Sequence, residues 1–196
     1  MALTQADLLM EIDNEVRKCH KCPLSKFRRN PVPGEGKIDA EIMLIGEAPG
    51  YFEDQQGKPF VGAAGKFLNE LLAQAGIFRA DVYVTNIIKC RPPNNREPTA
   101  TEVKVCTPYL DRQIECISPK VIITLGSHAA SYIFQKYEMK FDGITKIHGK
   151  IYTVSAPRVK ALIPMFHPAS ALYSIKYREE LMKDFSNLKF KLKELL

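Results

Sequence analysis

Val121-Ile-Ile-Thr-Leu125 runs straight into Gly126 and then into Ser127-His-Ala-Ala-Ser131. So short a run of aliphatic and β-branched residues reads as a fully buried strand, and it is far below the length that spans a bilayer. Gly126 supplies the turn and Ser127 opens a helix. Outward from this unit the pattern repeats. Residues 42–45 (IMLI) end in Gly46, residues 82–85 (VYVT) in Asn86, and residues 162–166 (LIPMF) in His167-Pro168. Residues 151–155 (IYTVS) read as a further short strand.

Helices fill the intervals. Residues 4–18 place Leu8, Leu9, Ile12 and Val16 on one face, and residues 65–75 do the same with Phe67, Leu68, Leu71, Leu72 and Ala75 before a stop at Gly76. Thr99-Ala-Thr-Glu102 is a capping box that opens a helix toward Ile117, with a kink or break expected at Pro108. Another helix closes the chain over 176–195. Residues 19–41, punctuated by Pro23, Pro31, Pro33, Gly34 and Gly36, read as a structured loop, and 137–150 as an irregular connection. Alternation of strand and helix predicts an α/β chain: a three-layer α/β/α sandwich around a central, mainly parallel four-stranded sheet. Ligands of such sheets bind beyond the carboxyl ends of the strands. This directs attention to Gly46-Glu-Ala-Pro-Gly50, Asn86, Gly126-Ser127 and His167-Pro168.

A length of 196 residues predicts one domain, 1–196, with a substantial core. Lys and Arg total 28 against 22 Asp and Glu, for a net charge of +6 and a pI near 9.0. The excess is compatible with a polyanionic partner without establishing one. The basic residues Arg17, Lys18, Lys21, Lys26, Arg28, Arg29 and Lys37 crowd one segment, and read equally well as a solvated surface or as phosphate contacts. Neither a membrane-spanning run nor a signal peptide is evident, so a cytoplasmic protein without membrane contact is expected.

Five cysteines are present. Cys19-x2-Cys22 has the spacing of a metal-binding pair; Cys90 follows the 82–85 strand, and Cys106 lies on the capped helix. Four thiolates suit a structural zinc or a [4Fe–4S] cluster, and a metal-free set of thiols is the third reading. Either metal staples the basic segment to Lys89-Cys-Arg-Pro-Pro-Asn-Asn-Arg96. Cys116 reads as a small core residue.

Taken together in order and spacing, GEAPG (46–50), PFVG (59–62), TNIIKCRPP (85–93), HPAS (167–170) and the four cysteines resemble the family 4 uracil-DNA glycosylases from about Cys19 to Leu172. The resemblance implies the uracil-DNA glycosylase-like fold and a [4Fe–4S] cluster on Cys19, Cys22, Cys90 and Cys106. It also implies hydrolysis of the N-glycosidic bond after base flipping, leaving an abasic site in base excision repair. Phe60 would stack on the uracil, and Asn86 would read its O4 and N3 edge. His167 would donate to O2, and Gly46 with the amides of Glu47 and Ala48 would hold the base. Glu47 and His167 are the candidate catalytic residues. In the family 1 enzymes the first segment has an Asp that positions water and a Tyr that excludes the thymine methyl; Ala48 and Gly50 stand in those places here. Leu172 and Tyr173 are the nearest candidates to wedge into the base stack. No lysine in these motifs is placed for a Schiff base, so a monofunctional enzyme is expected.

The expected partner is uracil-containing DNA, single- or double-stranded, and the expected state a monomer. A sliding-clamp contact is conceivable for a repair enzyme, but no convincing clamp-binding motif is present. Two rival readings remain: a non-catalytic iron–sulfur protein that binds nucleic acid on the same scaffold, and a nucleotide-binding domain using GEAPG as its phosphate loop. The latter lacks a P-loop's Lys-Ser/Thr ending.

Overall fold

In the computed structural model, which describes residues 3–196 apart from the side chains at 193 and 194, helices α1 (Gln5–Arg17), α2 (Tyr51–Gln56), α3 (Ala63–Gln74), α4 (Ala100–Ile117), α5 (Ser127–Lys136), α6 (Ile144–Ile147) and α7 (Ile175–Leu195) surround one sheet. Its strands are β1 (Glu35–Gly36), β2 (Ile42–Gly46), β3 (Val82–Asn86), β4 (Val121–Leu125), β5 (Tyr152–Thr153) and β6 (Ala161–Met165), in the order β1-β3-β2-β4-β6-β5. The four inner strands are parallel, which is the expected sheet; two antiparallel strands of two residues each are added at its edges. Those edge strands are too short to carry an alternating pattern, so β1 was hidden in what reads as a loop.

Each inner strand is buried along its whole length. Alternation divides its side chains between two cores. Met43, Ile45, Tyr83, Ile122 and Leu162 face the layer of α1, α4 and α5. Ile42, Leu44, Val84, Ile123 and Ile163 face that of α3 and α7. Two dry faces make three layers, and they explain why these strands read as unbroken apolar runs.

The caps fall where the sequence puts them. The Thr99 hydroxyl accepts from the Glu102 amide at 3.3 Å, while the Glu102 carboxylate accepts from the Thr99 amide at 2.8 Å. Of the kink or break expected at Pro108, the break does not occur: α4 continues through it for 18 residues. Pro108 and Lys104, whose carbonyl loses its helical partner, both face solvent, where water replaces that bond. No helix among the described residues is long and apolar enough to cross a membrane.

Candidate active site

Parallel register brings the first two motifs side by side: Gly46 pairs with Asn86 at the ends of β2 and β3. The Ile87 and Ile88 amides then donate to the Gly46 and Glu47 carbonyls at 2.9 and 3.1 Å, extending the pairing past the strands. β6, beyond β4, delivers His167 to the same edge. A cleft of about 320 Å³ opens there, walled by Glu47, Ala48, Phe60, Asn86, Arg96 and His167 among others. Of the predicted base-binding residues, Glu47, Ala48, Phe60, Asn86 and His167 line it. Gly46 lies behind two of them: a β-carbon on it would lie 2.5 Å from Asn86 Oδ1 and 2.7 Å from Phe60 Cζ. A wider groove of about 730 Å³, whose walls include His128 and Lys136, contains no side-chain polar atom that is both buried and unpaired among the described residues.

The cleft does contain one. Asn86 is 1% exposed, and its Oδ1 has no hydrogen-bond partner. A buried amide oxygen left unpaired is costly, so its place in the wall points to a ligand donor. His167 is complementary. Its Nδ1 accepts the Ala169 amide at 3.1 Å, which leaves the proton on Nε2. Burial lowers its pKa to about 4, so the ring is a neutral donor at physiological pH. The Phe60 and His167 rings lie 29° apart in plane, with centroids 5.7 Å apart.

Phe60 is held at a left-handed φ of 53°, which is strained for an aromatic residue. Glu53 braces this loop: its carboxylate accepts the Gly50 amide at 3.1 Å, the Val61 amide at 2.8 Å and the Gly62 amide at 2.9 Å, tying GEAPG to PFVG. Sequence reading passed over Glu53, although its position between two glycine-rich segments was the available signal. Glu47 is half-buried, and burial raises its pKa; His128 Nε2 lies 3.9 Å from its carboxylate and 3.5 Å from that of Glu97. Arg96, also missed, pairs with Glu102 at 2.7 Å. Leu172 and Tyr173 are 43% and 89% exposed at the end of the turn that follows His167.

Cys19, Cys22, Cys90 and Cys106 line a second, small pocket with Arg28, Lys89 and Tyr109. The Lys89 amide donates to Cys106 Sγ at 3.2 Å, the Arg28 guanidinium to Cys90 Sγ at 3.0 Å, and the Lys21 amide approaches Cys19 Sγ at 3.5 Å. Arg28 also donates to the carbonyls of Arg17 and Cys19, so this member of the basic segment clamps the cysteine loop. Burial pushes the Cys106 thiol up to about 12 and raises that of Cys90, so any metal bound here must displace protons. Among the described residues no three His, Cys, Asp or Glu side chains sit close enough to share a single ion. Cys116 stands apart, its thiol directed to the Gln5 carbonyl at 3.3 Å.

Comparison with known proteins gives a consistent picture. Residues 33–189 match the family described as the Uracil DNA glycosylase superfamily. A type-4 uracil-DNA glycosylase of Saccharolobus solfataricus is 55% identical over 93% of this chain and 86% of its own length. Its counterpart in Archaeoglobus fulgidus is 50% identical over 92% and 91%. That of Thermotoga maritima is 45% identical over 86% and 85%.

Proposed function

The chain belongs to the Uracil DNA glycosylase superfamily, and from that premise we propose how its residues act. It removes uracil from DNA by hydrolysing the N-glycosidic bond. The deoxyuridine is flipped into the cleft, and uracil lies against Phe60 with its O4 and N3 edge toward Asn86. Asn86 Oδ1 accepts from uracil N3–H, and its amide group donates to O4. Cytosine presents the opposite pattern on that edge, so its entry strands both groups. As the bond breaks, negative charge gathers on O2, where the Nε2–H of His167 donates. One fixed donor of this kind lowers the barrier by about 3–4 kcal/mol. Glu47 serves the sugar side, orienting the water that attacks C1′ and offsetting positive charge on the deoxyribose as uracil leaves. The product is an abasic site, and the strand stays intact because no lysine is among the residues lining the cleft.

The observation that carries this reading is the buried, unpartnered Asn86 Oδ1 in a cleft whose other walls hold Phe60 and a neutral His167. The test is incubation with uracil-containing and matched thymine-containing oligonucleotides, followed by alkali. Breaks at uracil positions alone are expected. Binding without breaks would favour the non-catalytic alternative.

The same reading assigns Cys19, Cys22, Cys90 and Cys106 to a [4Fe–4S] cluster. An all-sulfur donor set supports it, as do the N–H groups directed at three of those sulfurs. When bound, the cluster supplies structural cross-linking rather than electron transfer.

A further inference from the structure

The least expected side chain near the cleft is Lys89. It is 1% exposed, and among the described residues no carboxylate pairs with it directly, although those of Asp13 and Asp111 act on it from farther away. Its ammonium donates to three neutral oxygens: Thr85 Oγ1 at 2.6 Å, the Asn86 main-chain carbonyl at 2.8 Å and Gln113 Oε1 at 2.7 Å. All three protons are used. Gln113, itself fully buried on α4, passes the connection on, donating to the Pro33 carbonyl at 3.0 Å and the Tyr83 hydroxyl at 3.2 Å. Thr85 donates to the same Pro33 carbonyl at 2.6 Å.

Burying a charge whose direct partners are all neutral is expensive even with the Asp13 and Asp111 carboxylates in the neighbourhood, and an apolar side chain would fill the space at less cost. The ammonium does what an apolar group cannot: it fixes three separate points of the chain in one tetrahedral arrangement. Two of these points are Thr85 and Asn86, the last two residues of β3. The third is on α4, the helix that carries Cys106. The main chain of Lys89 belongs to the other pocket, since its amide donates to Cys106 Sγ and the next residue is Cys90.

We propose that Lys89 is the positioning residue for Asn86, holding the end of β3 so that the side-chain amide meets the uracil edge, and that it makes the order of the cysteine pocket felt in base reading. The proposal rests on the assignment of Asn86 as the reader of uracil. Lys89 touches neither substrate nor the reacting bond.

The experiment uses the iron-loaded protein and four variants: Asn86→Ala, Lys89→Met, Thr85→Val and Gln113→Leu. For each, one measures kcat, KM for a uracil oligonucleotide, the inhibition constant of free uracil, affinity for an abasic-analogue duplex, and iron per chain. In Lys89→Met, free uracil should bind about tenfold or more weakly and kcat should fall by at least as much. KM and abasic-duplex affinity should stay within about twofold. Thr85→Val and Gln113→Leu remove one acceptor each without altering the cysteine segments, and each should weaken uracil by about threefold to tenfold with iron unchanged. A purely structural role would lower the melting temperature and the active fraction and leave the uracil constant of the active molecules unmoved. If Lys89→Met loses its iron or fails to fold, the Thr85 and Gln113 variants decide. Uracil constants within twofold of the parent in both of them overturn the proposal. An unchanged uracil constant in Asn86→Ala overturns instead the assignment on which it rests.

Discussion

The base cleft and the cysteine pocket lie at either end of one five-residue segment, Asn86 to Cys90, and burial acts on them in opposite senses. In the cleft, removal from water lowers the His167 pKa to about 4, and the resulting neutral imidazole is the form that donates to an oxygen. In the cysteine pocket, removal from water pushes Cys106 up to about 12, and the protonated thiol is the form a metal cannot use. The cleft is preorganised by strand register, by Gly46, by the Glu53 carboxylate that joins its two loops, and by a ring locked by the Ala169 amide. In the cysteine pocket the Lys89 amide and Arg28 only partly offset the cost of thiolate charge, so under the proposed cluster assignment its order depends on the bound group. The cleft keeps its shape without a guest and leaves one polar atom, Asn86 Oδ1, for a ligand to satisfy.

That contrast is broken most directly at the cysteines. Cys106→Ala should abolish iron binding and lower stability by more than about 3 kcal/mol, read as lost visible absorbance and a depressed melting temperature. Cys116→Ala, which alters a partly buried thiol outside the pocket, should keep its full iron content. If both variants keep their iron, the four-cysteine assignment is wrong. In the cleft the expected effect is on rate rather than folding. His167→Ala should cost about 10²–10³ in kcat with a normal melting transition and little change in DNA affinity. Equal loss of turnover and affinity would contradict its role at O2.

A smaller steric effect sharpens the same point. Gly46→Ala would put a methyl group 2.5 Å from Asn86 Oδ1 and 2.7 Å from the Phe60 ring. Both are side-chain contacts that can yield, so the chain should fold and keep its iron while turnover falls by about tenfold to a hundredfold. Parent-like turnover in this variant would mean that Asn86 and Phe60 can shift without loss of function.

Much of this was legible in the sequence because the features involved are local. Four apolar runs, each ending in Gly, Asn or His-Pro, predict the inner sheet and the edge where ligands bind, and the Thr99–Glu102 box is met hydrogen bond for hydrogen bond. What stayed hidden depends on residues distant in sequence. Arg28 reads as one more surface cation until the fold brings it 3.0 Å from Cys90, 62 residues away. Lys89 in TNIIKCRPP is indistinguishable from a solvated lysine until Gln113 closes over it. Glu53 looks like a helix-end acid, yet it accepts from amides of two loops. Pro108 does not end its helix, because the cost there depends on whether the freed carbonyl faces water, and periodicity does not reveal that.

The smallest expected effect concerns Glu47, whose pKa burial raises above the usual glutamate value. If its ionised form serves the sugar and the water, kcat falls as pH drops through that raised pKa, so the acid limb should lie above the ordinary carboxylate range. His167, with a pKa near 4, contributes no limb above pH 5. Two neighbours then act with opposite sign. His128, 3.9 Å away, lowers the Glu47 pKa when its imidazole carries a proton, and Glu97 raises it. His128→Gln should move the limb upward and Glu97→Gln should move it downward, each by a few tenths of a pH unit (roughly what a half-screened charge produces near a surface). Glu47→Gln should erase the limb and lower the plateau. A limb that stays put in all three variants would transfer water activation to another group in the cleft while leaving the proposed roles of Asn86 and His167 untouched. The profile thus tests the sugar side of the reaction independently of the base side.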